Sequence, residues 1–462
     1  MSTKLIKNSL LIATMNSSGD EFCNGHILLK DGVIASIGRD DYNGHADEEI
    51  DATGMVVLPG FINTHHHLYQ TLTRNIPLMQ DQPLFSWLTN HYEIWRELTE
   101  EAVRISTKTG LLEMMRTGVT TSSDHLYVFP QKTSPALIDA EIESAMELGI
   151  RFQPTRGSMS LGRSQGGLPP DDTVQTEGEI QQDTERLLAL YHDESDGAMI
   201  KLSLAPCSPF SVTSELMKST AEFATANNLM IHTHLAETID EEKFCLEKTG
   251  FRPAGYMDSL GWMSNNSWYA HCVHLNDEEI QMMGSRGVSI SHCPSSNMRL
   301  GSGIARIREM LDADVNVSLG VDGSASNDSG NMLLEIRNAM LLSRLREEKF
   351  WLSARDVLRM ATNGGAKALG RTDIGELAIG KQADLSLFSL NQIEYAGGMS
   401  DPLAALIFSA RLNPVDYLIV KGNILIKNGE STLDENILIS EHNRISNKML
   451  ENAKRNTGIN FI

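Results

Sequence analysis

Short apolar segments alternate with longer stretches of helical periodicity through the middle of the chain. One stretch, EEAVRISTKTGLLEMMRTG, has apolar residues at helical spacing and is followed by the strand-like VTTSSD. In chain order the apolar segments are VVLPGFIN, GVTTSSD, RFQPTRG, IKLSLAP, LMIHTH, WYAH, VSISHC and VNVSLGVD. Eight strand–helix units over roughly 300 residues predict an α/β fold, a TIM-like (β/α)8 barrel of parallel strands.

Both ends of the chain have a different pattern, in which short strands are separated by turns. LLIATM, GHILLKDGVIASIG and GMVVLPG lie near the start, and IGELAIGKQADLSLFSL and DYLIVKGNILIKNGE follow Gly370. Asp31-Gly32 and Lys421-Gly422-Asn423 are typical of hairpin turns. We therefore predict three parts: residues 1–58 and 371–430 as one composite β-sandwich domain, 59–370 as the barrel, and 431–462 as a C-terminal helical extension.

The composition narrows the possible partners and the location. With 60 acidic and 39 basic residues the net charge is −21, which argues against a nucleic-acid polymer as partner. No apolar run approaches the roughly 20 residues of a membrane span. The five cysteines form no Cys-x-x-Cys pair, which favours a reducing cytoplasm. A homo-oligomer is expected on general grounds.

The histidines indicate the chemistry, because they fall at the carboxyl ends of predicted strands. These strand-end residues are His65, His67, His234, His271 and His292, and Asp322 follows the last strand. A barrel gathers all such ends on one face. In His65-x-His67 both side chains point to the same side and His66 points away. Imidazoles with one carboxylate predict a zinc site, and iron(II) is also possible.

The positions of other residues relative to these histidines suggest their roles in proton transfer and metal binding. Glu237 lies three residues beyond His234 and is predicted to move protons without binding the metal. His232 shares a strand face with His234 and could compete with it as a ligand, but His234 is preferred because it is nearer the strand end and is followed by Glu237. Lys201 lies at the start of its strand, which disfavours a lysine bridging two metals, so one metal is predicted.

Residues beside the metal histidines are candidates for substrate binding. Gln70 and Arg74 could reach carbonyl oxygens or ring nitrogens of a heterocycle, and Trp87 could stack on it. The irregular segment at residues 161–172 is expected to lie over the site.

In combination, LPGFINTHHH, IHTHLAE, AHCVHL and GVDGSASND resemble the amidohydrolase superfamily, in its single-metal deaminase branch. The resemblance extends to about residue 430. It implies one zinc ion bound by His65, His67, His234 and Asp322, with Glu237, His271 and Asp322 as catalytic residues. These are the residues that the strand-end pattern selects.

Within that branch, HHHLYQTLTR, RGSMSLGRSQGGLPPDD, APCSPFSVT and SHCPSSNMRLGSG look most similar to 8-oxoguanine deaminases, with the triazine hydrolases as near neighbours. The resemblance implies hydrolysis of 8-oxoguanine to urate and ammonia. Asp322 favours deamination, because some similar chlorotriazine hydrolases carry threonine there. Hydrolysis of a hydroxyatrazine-type triazine, deamination of another purine or a pterin, and a metal-free barrel scaffold remain alternatives.

Overall fold

The computed structural model describes residues 3–39, 42, 44–409 and 414–462. Strands in these ranges account for every apolar segment predicted for the barrel. In chain order they are β1 (Thr3–Lys7), β2 (Leu11–Ala13), β3 (Glu21–Phe22), β4 (His26–Lys30), β5 (Val33–Gly38), β6 (Glu48–Asp51), β7 (Met55–Pro59), β8 (Phe61–Asn63), β9 (Val119–Leu126), β10 (Arg151–Ser158), β11 (Ser203–Pro206), β12 (Ile231–Leu235), β13 (Ser267–His271), β14 (Ser289–His292), β15 (Asn316–Leu319), β16 (Leu385–Ser389), β17 (Tyr417–Val420), β18 (Asn423–Lys427) and β19 (Glu430–Ser431).

The barrel consists of strands β8 to β15, which lie side by side in chain order and run parallel. The backbone N–H of Thr64 donates to the carbonyl of Leu319 at 3.0 Å, so the ends of the first and last strands meet. The predicted (β/α)8 barrel is therefore confirmed. All strand carboxyl ends open on one face, as this topology requires.

The helices lie mainly between consecutive strands of the barrel. They are α1 (Leu84–Trp95), α2 (Glu100–Met115), α3 (Leu137–Leu148), α4 (Glu177–Tyr191), α5 (Ser214–Ala226), α6 (Ile239–Thr249), α7 (Pro253–Ser259), α8 (Asp277–Ser285), α9 (Pro294–Arg299), α10 (Ile307–Asp312), α11 (Met332–Ser343), α12 (Ala354–Met360), α13 (Asn363–Ala368), α14 (Pro402–Ser409) and α15 (Glu435–Thr457). Several begin at a hydroxyl cap; Thr238, directly after Glu237, accepts from the N–H of Glu241 and starts α6. Among the described residues, none of these helices has the length and apolar character of a bilayer span.

Two smaller sheets are formed from both ends of the chain. One has the strand order β5-β4-β1-β6 and the other β19-β18-β17-β16-β7-β2-β3. The hairpin turns fall at the predicted places, with positive φ at Asp31, Gly32, Lys421 and Gly422. Buried residues from both sheets, such as Ile27 and Leu385, share one apolar cluster. The terminal strands therefore form a second β structure beside the barrel, while the domain boundaries stay a prediction.

Candidate metal and catalytic site

The predicted site residues lie together at the carboxyl face of the barrel. His65 and His67 follow β8, His234 lies near the end of β12, His271 ends β13, and Asp322 follows β15; each is at least nine-tenths buried. His271 and Asp322 have positive φ angles of 72° and 62°. Such backbone is rare outside glycine and is typical of functional sites, where the surrounding structure enforces it.

Donor atoms of four of these residues, His65, His67, His234 and Asp322, lie close together. The Nε2 atoms of His67 and His234 are 3.1 Å apart, and Asp322 Oδ1 lies 3.3 Å from His65 Nε2 and 3.4 Å from His67 Nε2. Four ligands about 2.0–2.1 Å from a tetrahedral zinc ion are separated by roughly 3.4 Å. The spacing therefore fits a single metal ion held by three imidazoles and one carboxylate.

In His67 and His234 the other ring nitrogen, Nδ1, makes a hydrogen bond to the backbone. Nδ1 of His67 donates to the carbonyl of His125 at 2.7 Å, and Nδ1 of His234 donates to the carbonyl of Cys207 at 2.6 Å. The hydrogen therefore sits on Nδ1, and the lone pair of Nε2 faces the cluster. Burial lowers the pKa of His67, and it lowers the pKa of His234 to about 3. Neutral rings with free lone pairs are what a metal requires.

His232 contacts His65 on the side of its ring that faces away from the other donor atoms. His65 Nδ1 lies 2.8 Å from His232 Nε2, whereas His65 Nε2 is buried without a hydrogen-bond partner among the described residues. A buried ring nitrogen with no hydrogen-bond partner fits the role of a metal ligand. The structure places His232 behind His65 and separates its ring from that of His234 by 6.5 Å between centroids.

The catalytic candidates face the same point. His271 Nε2 lies 3.6 Å from Glu237 Oε2 and 3.9 Å from Asp322 Oδ2. Burial raises the pKa of Glu237 above its ordinary value. Burial alone would lower the pKa of His271, but the carboxylates of Glu237 and Asp322 raise it overall. Burial acts to raise the pKa of Asp322, yet its contacts with His65, His271 and His67 bring it well below the usual range.

Two polar side chains that the sequence did not reveal hold these groups in place. The carboxylate of Glu241, on α6, accepts the backbone N–H groups of Ala236 and Glu237, each at 2.8 Å. Asn297 Oδ1, on α9, lies 2.9 Å from His271 Nδ1 and accepts its hydrogen. The only available signal for Glu241 was its place in the first turn of a helix.

The cluster lines a partly open cavity with about 30 Å³ of space accessible to water-sized molecules. We call its polar lining the floor, made by His67, His234, Glu237, His271 and Asp322. We call its apolar lining the roof, made by Leu84, Trp87, Leu88, Phe210 and Leu300. The other lining residues are Gln70, Tyr127, Cys207, Ser208 and Ser326. A mostly apolar lining with a few convergent polar groups is typical of a small-molecule site.

The three substrate-binding candidates have different positions. Gln70 and Trp87 line the cavity, and neither Gln70 Oε1 nor Trp87 Nε1 has a hydrogen-bond partner among the described residues. Arg74 does not line it; its guanidinium pairs with Glu113 and lies 3.4 Å from Ser324 Oγ. The 3₁₀ turn Leu68–Thr73 ends just before Arg74, whose backbone is extended, so Arg74 does not share the face of Gln70.

Two other predicted features, His292 and the 161–172 segment, lie outside this cavity. His292 ends its strand as expected but lines a separate small cavity with Ile304 and Phe350, and burial lowers its pKa to about 3. The 161–172 segment contacts α1, the helix of the roof, through ion pairs Arg163–Glu93 at 2.8 Å and Asp172–Arg96 at 2.5 Å. The segment therefore supports the roof from outside.

The family is decided by a match over most of the chain. The model of the amidohydrolase family matches residues 56–425, which include the barrel strands and all the strand-end residues above. The chain belongs to the amidohydrolase family. This agrees with the resemblance inferred from the motifs.

Several characterised amidohydrolase relatives cover nearly the whole chain. It is 46% identical to 8-oxoguanine deaminase of Pseudomonas aeruginosa, over 97% of this chain and 100% of that protein. It is 33% identical to hydroxydechloroatrazine ethylaminohydrolase of a Pseudomonas species, over 93% and 92% of the two chains. Atrazine chlorohydrolase from Arthrobacter aurescens, solved in complex with zinc, is 34% identical with a TM-score of 0.92, over 96% and 100% of the chains.

Proposed function

We propose that this amidohydrolase uses one zinc ion to replace a ring amino group by oxygen, converting 8-oxoguanine and water to urate and ammonia. The observation that carries the proposal is the floor, which places a set of potential metal ligands beside a protonatable carboxyl group, Glu237, in one cavity. The high identity to a deaminase of 8-oxoguanine supports the choice of substrate.

The ligands would be His65, His67, His234 and Asp322. Zinc bound there would act as a Lewis acid and bring the pKa of a coordinated water from 15.7 toward about 7. The same nitrogen and oxygen donors would also accept iron(II). Zinc is favoured by the tetrahedral spacing and by the zinc complex of the related chlorohydrolase.

The chain's own groups account for the proton movements. Asp322 Oδ2, which accepts from Ser326 at 3.0 Å, takes a proton from the attacking water. His271 Nε2, between Glu237 and Asp322, orients that water toward the amino-bearing carbon. Glu237 donates its proton to the adjacent ring nitrogen, so no negative charge accumulates on the ring.

Collapse of the tetrahedral adduct completes the reaction. Asp322 gives the water proton to the amino group, the carbon–nitrogen bond breaks and ammonia leaves. The remaining hydroxyl proton returns to Glu237 as the new carbonyl forms, so both carboxyl groups end as they began. The raised pKa of Glu237 suits a group that must start protonated.

The cavity favours a free base over a nucleotide. No lysine or arginine of the described part of the chain lines it, so it offers no cationic side chain to bind a phosphate. Gln70 Oε1 would accept a ring N–H, and the Trp87 indole N–H would donate to an exocyclic carbonyl oxygen. 8-Oxoguanine carries both kinds of group. We leave Arg74 out of this binding set because of its pairing with Glu113.

A triazine or another amino-heterocycle is the main competing substrate. The 33% identity to the ethylaminohydrolase supports it, and a hydroxytriazine offers a similar amino-bearing carbon beside a ring nitrogen. Another purine or a pterin would use the same floor. A metal-free scaffold is the alternative outside enzymes; less than about 0.2 zinc per chain in carefully prepared protein would support it.

The deciding experiment compares ammonia release from 8-oxoguanine, guanine, isoxanthopterin and amino-substituted hydroxytriazines by zinc-loaded protein. We expect a kcat/KM of at least about 10⁴ M⁻¹s⁻¹ for 8-oxoguanine, well above the others. Higher values for a triazine would change the substrate and keep the floor. Absence of release from the whole panel would overturn the proposal, and a Glu237→Gln preparation excludes a contaminating deaminase.

Two further expectations accompany this function. A cytoplasmic location agrees with the free cysteines, of which Cys207, Cys245, Cys272 and Cys293 are buried and Cys23 is exposed. A homo-oligomer stays a prediction, and light scattering on the purified chain measures it directly.

A further inference from the structure

The three imidazoles proposed as ligands are held in two different ways. His67 and His234 each donate Nδ1–H to a backbone carbonyl, which no substitution can remove. His65 instead contacts a side chain, with its Nδ1 2.8 Å from Nε2 of His232. His232 is fully buried and stacks on the indole of Trp268, with ring centroids 4.5 Å apart and planes 16° from parallel.

The direction of the hydrogen bonds follows from the two ends of this chain of contacts. His232 Nδ1 lies 2.8 Å from the carbonyl oxygen of Trp268, which can only accept, so Nδ1 of His232 carries its hydrogen. At the other end, a metal-binding Nε2 on His65 must present a lone pair, so the hydrogen of His65 sits on Nδ1. His65 therefore donates to His232 Nε2, and each ring is in one tautomer.

The other tautomer of His65 would not bind metal. With its hydrogen on Nε2, His65 would donate to Asp322 Oδ1, which is 3.3 Å away, and this would occupy two of the four donor atoms at once. His232 opposes that arrangement, because it provides the acceptor that only the Nδ1–H tautomer can use. The contact thus discriminates between a metal-binding floor and one closed on itself.

We propose that His232 is a positioning residue that fixes the tautomer and orientation of His65, and thereby sets the metal affinity of the floor without touching the metal. This inference rests on the metal site of the proposed function. Partners of this kind usually contribute 10–100-fold to metal affinity.

The test compares two substitutions of His232 in the full chain. His232→Phe keeps an aromatic ring on Trp268 and removes the acceptor, whereas His232→Gln places a carbonyl oxygen near the position of Nε2. Zinc affinity is measured by competition with a chelating dye, without substrate. We expect His232→Phe to weaken zinc binding 10–100-fold and His232→Gln to weaken it less than about fivefold.

Each outcome has a defined meaning. Unchanged zinc affinity in His232→Phe, or equal losses in both variants, would overturn the inference, since packing alone would then explain the effect. Wild-type protein that binds no zinc would overturn the proposed function together with it. His292→Phe, at a buried strand-end histidine outside the cluster, serves as the control and should bind zinc as wild type does.

A measurement on wild-type protein covers the case in which the variants fail to fold. Nitrogen NMR of zinc-loaded protein with labelled histidine reports which ring nitrogen carries hydrogen. We expect hydrogen on Nδ1 of both His65 and His232. Hydrogen on Nε2 of either ring would contradict the inference.

Discussion

The floor and the roof of the cavity are constructed in different ways. Floor residues lie at or a few residues beyond the carboxyl ends of barrel strands, and neighbouring strands fix their backbone; Asp322 N–H, for example, donates to the carbonyl of His65 at 3.0 Å. Roof residues such as Trp87 and Leu88 lie on α1, in a connection between strands. This helix is held from outside by ion pairs of Glu93 and Arg96 with the 161–172 segment.

The difference suggests that the floor determines the reaction and the roof determines which substrate is preferred. In the proposed function the floor supplies metal ligands, a base and an acid, and these groups suit any heterocycle with an amino-bearing carbon beside a ring nitrogen. The roof would supply shape and one indole N–H, which would discriminate among such heterocycles. Substitutions in the floor should therefore abolish turnover of every substrate, whereas substitutions in the roof should change which substrate is preferred.

The largest effect is expected at Asp322, which is assigned as both ligand and base. Asp322→Asn should lower kcat/KM about 10⁴-fold, because both roles are lost, and should lower the zinc content. Steady-state kinetics with metal analysis measures both. Asp328→Asn is the control in the same loop, where the side chain pairs with Arg299. Near wild-type activity in Asp322→Asn would remove Asp322 from the floor's chemistry.

Glu237→Gln should lower kcat by about 10²–10⁴-fold and leave zinc at one per chain. The amide keeps the shape of the side chain but cannot protonate the ring nitrogen. Parallel measurement of kcat and bound zinc distinguishes this acid from a ligand. Glu247→Gln, at an exposed position on α6 just after Glu237, should behave as wild type. If Glu237→Gln lost its zinc, Glu237 would have to be reassigned as a ligand.

A smaller effect is expected in the roof, where Trp87→Phe removes the indole N–H and keeps an aromatic ring. We expect kcat/KM for 8-oxoguanine to fall about tenfold, mainly through KM, from loss of one hydrogen bond. Trp95→Phe is matched to it on the same helix, since its N–H donates to Thr73 and it does not line the cavity. An unchanged KM in Trp87→Phe would leave stacking as the role of Trp87.

The floor could be predicted from sequence and the roof largely could not. Each floor residue ends or follows a short apolar strand, and the barrel topology alone brings strand ends together, so periodicity was sufficient. The contact of His65 with His232 spans 167 positions and leaves no local pattern. Arg74 follows the metal histidines in the sequence, but after the 3₁₀ turn that ends at Thr73 its guanidinium pairs with Glu113 and does not line the cavity.

Asp124 and Glu141 are a buried pair of carboxyl groups next to the floor. Asp124 Oδ1 accepts the backbone N–H of Leu68 at 2.7 Å, directly after His67. Burial raises the pKa of Asp124 to about 7, and burial together with the charge of Asp124 raises the pKa of Glu141. Because two such groups cannot both ionise cheaply, the folded protein retains a proton that the unfolded chain releases near pH 4.

The sign of the resulting pH dependence follows from these raised pKa values. The stability that this proton provides is complete below about pH 4 and is lost as the pH rises to about 7. Glu141→Gln needs no shared proton, because its amide can donate to ionised Asp124. From pH 5 to pH 8 the Tm of wild type should therefore fall about 2–4 °C more than that of Glu141→Gln, both zinc-loaded. Parallel Tm profiles would mean that the pair holds no proton, and the contact of Asp124 with the backbone beside His67 would then be insensitive to pH.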